Sequence, residues 1–94
     1  MKGFPKEVRE EVCKAQRGFC MLCLNKIDDY HHKLSNTVVA HKLFPLFVNS
    51  PFNCVGLCRE CHQQHPSQLR ISIPTAAMYE HWLAERIKGE SDGI

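Results

Sequence analysis

No run of apolar residues in this chain approaches the ~20 that a membrane-spanning helix requires, so no membrane partner is expected. The opening "MKGFPKEVREE" lacks the apolar stretch of a secretory signal, and a cytoplasmic protein is therefore expected. In that compartment clustered cysteines serve metal ions more often than disulfides. There is little excess charge of either sign: the net charge is +2, and Lys6, Arg9, Lys14 and Arg17 alternate with Glu7, Glu10 and Glu11. That balance does not announce a nucleic-acid partner by itself. The N-terminal segment carries either a solvated mixed face or a phosphate-facing stripe. Repeats and low-complexity tracts are missing too, and 94 residues leave room for one domain, 1–94. A chain of this size buries only roughly 60–65 % of its unfolded surface, so its core is marginal and a staple is expected.

What the chain does have is six cysteines and six histidines. Cys20-x2-Cys23 and Cys58-x2-Cys61 are two identical knuckles with 34 residues between Cys23 and Cys58. Four thiolates so spaced close a tetrahedral site for a structural Zn²⁺, with no coordination position left open. Such a metal staples and does not catalyse. The clasp pins together both ends of the intervening segment, which carries His31, His32 and Asn53. Cys13 and Cys54 are left over as buried free thiols, Cys13 on the apolar face of a helix and Cys54 in a strand.

Periodicity supplies the elements around this frame. "FPKEVREEVCKAQRG" reads as an N-terminal helix over about 5–17, with Pro5 in its first turn, Val8, Val12 and Ala15 at helical spacing, and Gly18 as its stop. A short strand ends near the histidines of "LNKIDDYHHKL". The apolar "TVVAHKLFPLFVNS", with Val38, Val39, Leu43, Leu46 and Phe47, forms one or two helical turns broken at Pro45. A second strand occupies "FNCVGLC", and "RECHQQHPSQL" starts a helix that Pro66 ends or bends. A C-terminal helix spans about 75–88, capped by Thr75, lined by Met78, Trp82, Leu83 and Ile87, and stopped by Gly89 ahead of a loose tail, 90–94.

The histidines complete the pattern. His31 and His32 are adjacent, so on a strand they point to opposite faces and serve different ends. His62 follows Cys61 directly, while His41 and His81 lie on helices with no evident partner. "YHHKL … FNCVGLCRECH" resembles the HNH nucleases, in which a His-His or Asp-His pair, an Asn and a helical His form a ββα-metal motif between two CxxC pairs. The match covers about 19–65 and rests on five features in order: CxxC, HH, Asn, CxxC and the following His. One departure is plain: a longer apolar insert, "SNTVVAHKLFPLFVNSP", replaces the usual Gly-rich turn. The resemblance implies an α+β fold with a small ββα-metal (His-Me finger) core, the four-cysteine zinc and flanking N- and C-terminal helices. It makes His31 and His62 ligands of one catalytic divalent cation and His32 the general base. Asn53 orients His32 or pins the loop that bears it. The cation is Mg²⁺, Mn²⁺, Ni²⁺ or Zn²⁺; imidazole suits the transition metals, whereas Mg²⁺ enters with many waters. His65, one helical turn after His62, either touches the same site or is a surface residue.

By this resemblance the chain is a DNA endonuclease of weak sequence preference, leaving 5′-phosphate and 3′-hydroxyl ends. Lys33 and Arg59, with Lys42 and Arg70, are the candidate phosphate contacts or else ordinary surface charges. Small stand-alone members are frequent in phages and prophages, which implies a phage packaging or recombination protein as a partner. Two other readings stay open. One is a non-catalytic zinc module that binds nucleic acid or protein. The other is a subunit active only with a partner that docks on "LFPLFV", a segment that would otherwise be core.

Overall fold

The computed structural model describes residues 3–64 and 66–92, with side chains to Gly89. The elements run α1 (Lys6–Ala15), β1 (Asp29–His32), α2 (Val38–Leu43), β2 (Cys54–Leu57), α3 (Arg59–Gln63) and α4 (Ile73–Asp92), with 3-10 turns at Pro51–Asn53 and Ser67–Leu69. This is a small α+β arrangement in which β1 and β2 form one antiparallel pair. Asp29 stands opposite Leu57, Tyr30 opposite Gly56, His31 opposite Val55 and His32 opposite Cys54.

α1 starts at Pro5, whose fixed φ suits the flank of a helix, and ends where Arg17 and Gly18 both take positive φ, 56° and 80°. The left-handed position that closes the helix falls on Arg17, whose N–H donates to the Lys14 carbonyl (3.2 Å), one residue ahead of the expected Gly18, whose N–H donates to the Cys13 carbonyl (2.9 Å). The reversed chain forms a hairpin around the first knuckle: Phe19 bridges Lys26, and the Cys20 N–H donates to the Asn25 carbonyl (2.8 Å). Gln16 ties this corner to the sheet. Its side-chain amide accepts from the Gly56 N–H (2.9 Å) and donates to the Gly56 (2.9 Å) and Phe19 (2.8 Å) carbonyls, standing in for a neighbouring strand. Gly56 is buried and a Cβ there would lie 2.5 Å from Ile27 Cδ1. Gln16→Ala therefore strands a buried N–H and is expected to cost about 1–3 kcal/mol, read as a lower midpoint in urea unfolding.

Among the described residues the interior divides into three apolar clusters. Phe4, Val12 and Cys54 pack under α1 with Val8 and Tyr30. Cys20, Cys58, Val55 and Leu57 form the second, so two of the knuckle cysteines are themselves core. Phe44, Phe47 and Ala76 form the third, with Leu34, Phe52, Ile71, Tyr79 and Leu83 against them. Of the apolar insert, Ala40, Phe44, Phe47 and Val48 are buried, whereas Val38, Val39 and Leu43 face solvent. Leu46 is also exposed, so "LFPLFV" is core at its phenylalanines and final valine and surface at its leucines. Ala15 is exposed as well, which leaves Val12 and Val8 as the apolar contacts of α1.

Three expectations for the C-terminal helix are corrected. Ser72, not Thr75, is the cap: its hydroxyl accepts from the Thr75 N–H (3.3 Å) and contacts Thr75 Oγ1 (2.8 Å), and α4 begins at Ile73. Gly89 has no positive φ and does not stop α4, which runs on to Asp92 through the stretch read as a loose tail; residues 93 and 94 lie outside the described residues. The stripe that faces the core is buried Ala76 with half-buried Tyr79 and Leu83, while Met78, Trp82 and Ile87 stay exposed. α4 is fixed on the core by Glu80, whose Oε1 accepts from the Leu46 and Phe47 N–H groups (both 2.9 Å). Stacking of Tyr79 on Phe47 and Phe52 (both 5.2 Å between centroids) adds to this.

Candidate metal centre and histidine site

Both knuckles converge. The sulfurs of Cys20, Cys23, Cys58 and Cys61 all lie within 4.8 Å of one another. Cys23 and Cys58 are 3.6 Å apart and Cys23 and Cys61 3.8 Å. A tetrahedron with metal–sulfur bonds of about 2.3 Å has edges of about 3.8 Å, so the quartet fits a structural ion such as zinc. The chain backs the sulfurs with its own donors: the Leu22 N–H points at Cys20 Sγ (3.4 Å). Burial pushes the Cys20 thiol up, but the backbone N–H groups of Cys58, Leu22 and Cys23 outweigh it and bring it down to about 6. The neighbouring Cys58 sulfur, followed by burial, drives Cys61 up to about 12. So many acidic groups in so small a space cannot all ionise alone, and a divalent cation is what makes four thiolates compatible. Of the leftover thiols, Cys54 is buried, and burial pushes it up to about 12 against the pull of Lys33. Cys13 is only half-buried, short of the buried position expected of it.

Because the clasp starts α3 directly after β2, the face of β1 that carries Asp29 and His31 looks onto α3. The rings of His31 and His62 meet edge to face with centroids 5.2 Å apart. His62 Nδ1 lies 3.3 Å from Asp29 Oδ2, an ion pair whenever the imidazole is protonated. The Asp28 carboxylate accepts from the Arg59 N–H (2.9 Å) at the start of α3, where the helix dipole favours a negative charge. Among the described residues, the cysteine quartet alone brings three or more ligand atoms within 4.8 Å of one another, so Asp29, His31 and His62 do not close a three-ligand cage. His65 lies outside the described residues.

His32, one residue on, points the other way. Its ring stacks on Phe4, 3.7 Å between centroids and 12° between planes, and its Nε2 lies 3.0 Å from Asn49 Oδ1. Burial lowers its pKa below the ordinary imidazole value; the hydrogen bond to Asn49 opposes this in part, and the charge that His41 can carry adds a smaller push downward. His32 is thus held neutral near pH 7, able to accept a proton. His41, read as partnerless, bonds through Nε2 to Asn36 Oδ1.

Asn53 is fully buried and does not touch His32. Its Oδ1 accepts from the Leu34 N–H (2.6 Å), and its Nδ2 donates to the Leu34 (3.1 Å) and Val48 (2.9 Å) carbonyls. These bonds tie it to the segment that follows the histidines and to the end of the insert.

The candidate phosphate contacts divide. Lys33 and Arg70 line one groove with Leu34 and Ile71 on the flank of α2. Lys33 is half-buried, which lowers its pKa below the usual lysine value. Arg59 and Lys42 are exposed, on α3 and α2 respectively. Four contributors escaped sequence reasoning: Asp28, Asp29, Asn49 and Phe4. Asp29 carried a signal, since it stands two residues before His31 and so shares its face of the strand. Asn49 and Phe4 carried none, because only the course of a loop and of the N-terminal arm brings them to His32. No family model matches the chain, and no curated protein and no solved structure matches it either.

Proposed function

We propose that the chain is a metal-dependent endonuclease of the HNH type that hydrolyses DNA phosphodiester bonds. The observation that carries this reading is the pairing of His31 with His62 at 5.2 Å across β1 and α3, beside a neighbour, His32, that is held on the opposite face by Phe4. Phosphodiester hydrolysis needs that division of labour: two ligands that leave most coordination positions open, and a separate base for the attacking water. His31 and His62 would hold one divalent cation, which when bound neutralises charge on the phosphate and on the leaving oxygen. Asp29 takes Nδ1 of His62, which leaves Nε2 as the ligand atom and fixes the ring, as a carboxylate behind a metal-binding histidine does. His32 removes the water's proton. Asn53 keeps the stretch after the histidines in place, and Lys33 and Arg70 receive neighbouring phosphates. The four-cysteine ion stays structural throughout.

A plasmid-nicking assay in Mg²⁺, Mn²⁺, Ni²⁺ and EDTA, with His32→Ala alongside, is the test. Cutting is expected in at least one metal and none in EDTA. The His32→Ala protein, still holding its structural zinc, should be slower by at least ~10²-fold, the lower end of what a general base is worth. No cutting in any metal would leave a zinc-stabilised binding module as the better account. Equal cutting by wild type and His32→Ala would remove His32 from the chemistry.

A further inference from the structure

We propose that Asn49, from the insert between α2 and β2, is the positioning residue of His32: it keeps the proton on Nε2 and leaves Nδ1 as the atom that accepts the water's proton. The inference rests on the nuclease reading for the use of Nδ1, but the hold of Asn49 on the ring stands on geometry alone. An amide oxygen has no hydrogen to give, so the 3.0 Å contact between His32 Nε2 and Asn49 Oδ1 forms only when Nε2 carries the proton. A neutral imidazole has one N–H, and its lone pair then lies on Nδ1. Phe4, stacked 12° from parallel at 3.7 Å, limits rotation out of that plane.

Both partners of this hydrogen bond are held by one buried side chain. Asn53 bonds Leu34, two residues after His32, and Val48, one residue before Asn49. The turn bearing Asn49 is fixed on its other side by Ser50, whose hydroxyl donates to the Phe47 carbonyl (2.7 Å) and which is buried with Phe47 and Val48. Asn53 therefore sets the spacing between His32 and Asn49 without touching either side chain, and the apolar insert gains a purpose beyond packing: it delivers an acceptor to the base.

The experiment pairs a spectrum with a rate. Long-range ¹H–¹⁵N correlations on the zinc-loaded protein at about pH 8, where an ordinary imidazole is neutral, report which nitrogen of His32 is protonated. Wild type should show the Nε2–H tautomer. Asn49→Leu should lose that preference, and Asn49→Asp, which keeps an acceptor, should retain it. In the nicking assay Asn49→Leu should lower kcat at least about 10-fold, part of the 10²–10⁴-fold that a base contributes. KM for plasmid should not move, and Asn49→Asp should recover most of the loss. If Asn49→Leu does not fold, Asn49→Ala is measured in its place. An Nδ1–H tautomer in the wild type overturns the proposal, as does an Asn49→Leu protein with unchanged tautomer and unchanged kcat. A wild type that cuts nothing in any metal brings down the nuclease reading and the role of Nδ1 with it, while the spectra still decide whether Asn49 holds the ring.

Discussion

Cys58→Ser is expected to leave a chain with no cooperative thermal transition and no bound zinc, and a strong zinc chelator should do the same to the wild type. The size of the effect follows from where the ligands sit. Cys58 is almost entirely buried, and with Cys20 it makes half of the cluster that receives Val55 and Leu57 of β2. Losing the ion therefore frees two thiols into the core and releases the clasp that joins the hairpin at Phe19–Lys26 to the start of α3. Structural zinc in small peptides is worth apparently ~10–16 kcal/mol, whereas a domain of this kind retains a net stability of about 5–15 kcal/mol. Without the metal, little or nothing is left. One zinc per chain by elemental analysis, lost on chelation together with the near-ultraviolet dichroism, is the expected result. A chelated protein that melts at the temperature of the loaded one would show that the four sulfurs meet for some other reason. Cys13→Ser, outside the quartet and half-buried, is the control that should keep both zinc and transition.

The same clasp explains what was legible in the sequence. A CxxC knuckle is encoded locally, and two of them dictate a long-range contact, so the meeting of Cys20, Cys23, Cys58 and Cys61 could be read from spacing, and with it the neighbourhood of His31 and His62. The end of α1 was readable to within a few residues, because the chain turns away at Arg17 and Gly18. Gly89 misled because glycine costs an exposed helix only about 1 kcal/mol, so it does not by itself end one. α4 misled in a second way. It carries two apolar stripes at helical spacing, Ala76–Tyr79–Leu83 and Met78–Trp82. Only the surface presented by Phe44 and Phe47 decides which is buried. Asn49 was invisible for the opposite reason: its role depends on a turn seventeen positions from His32, with no periodicity to mark it.

Asn53→Ala should be the most damaging single substitution outside the quartet, lowering stability by about 3–5 kcal/mol. The side chain is completely buried and makes three hydrogen bonds, to the Leu34 N–H and to the Leu34 and Val48 carbonyls. Alanine strands all three groups in a space water does not fill, and each orphaned polar group costs about 1–3 kcal/mol, partly recovered as the loop relaxes. The aspartate variant sharpens the test. A carboxylate still accepts from the Leu34 N–H but cannot donate, so Asn53→Asp turns a charge toward two carbonyl oxygens and should be no better than alanine. Urea unfolding of the zinc-loaded proteins measures this directly, and a loss below about 1 kcal/mol for Asn53→Ala would contradict it. The result also separates two uses of an asparagine beside a catalytic histidine. A residue that touched substrate would lower rate and leave stability alone. One that pins the Leu34 and Val48 segments must lower both together, because the geometry that presents His32 is the geometry that holds the insert on the core.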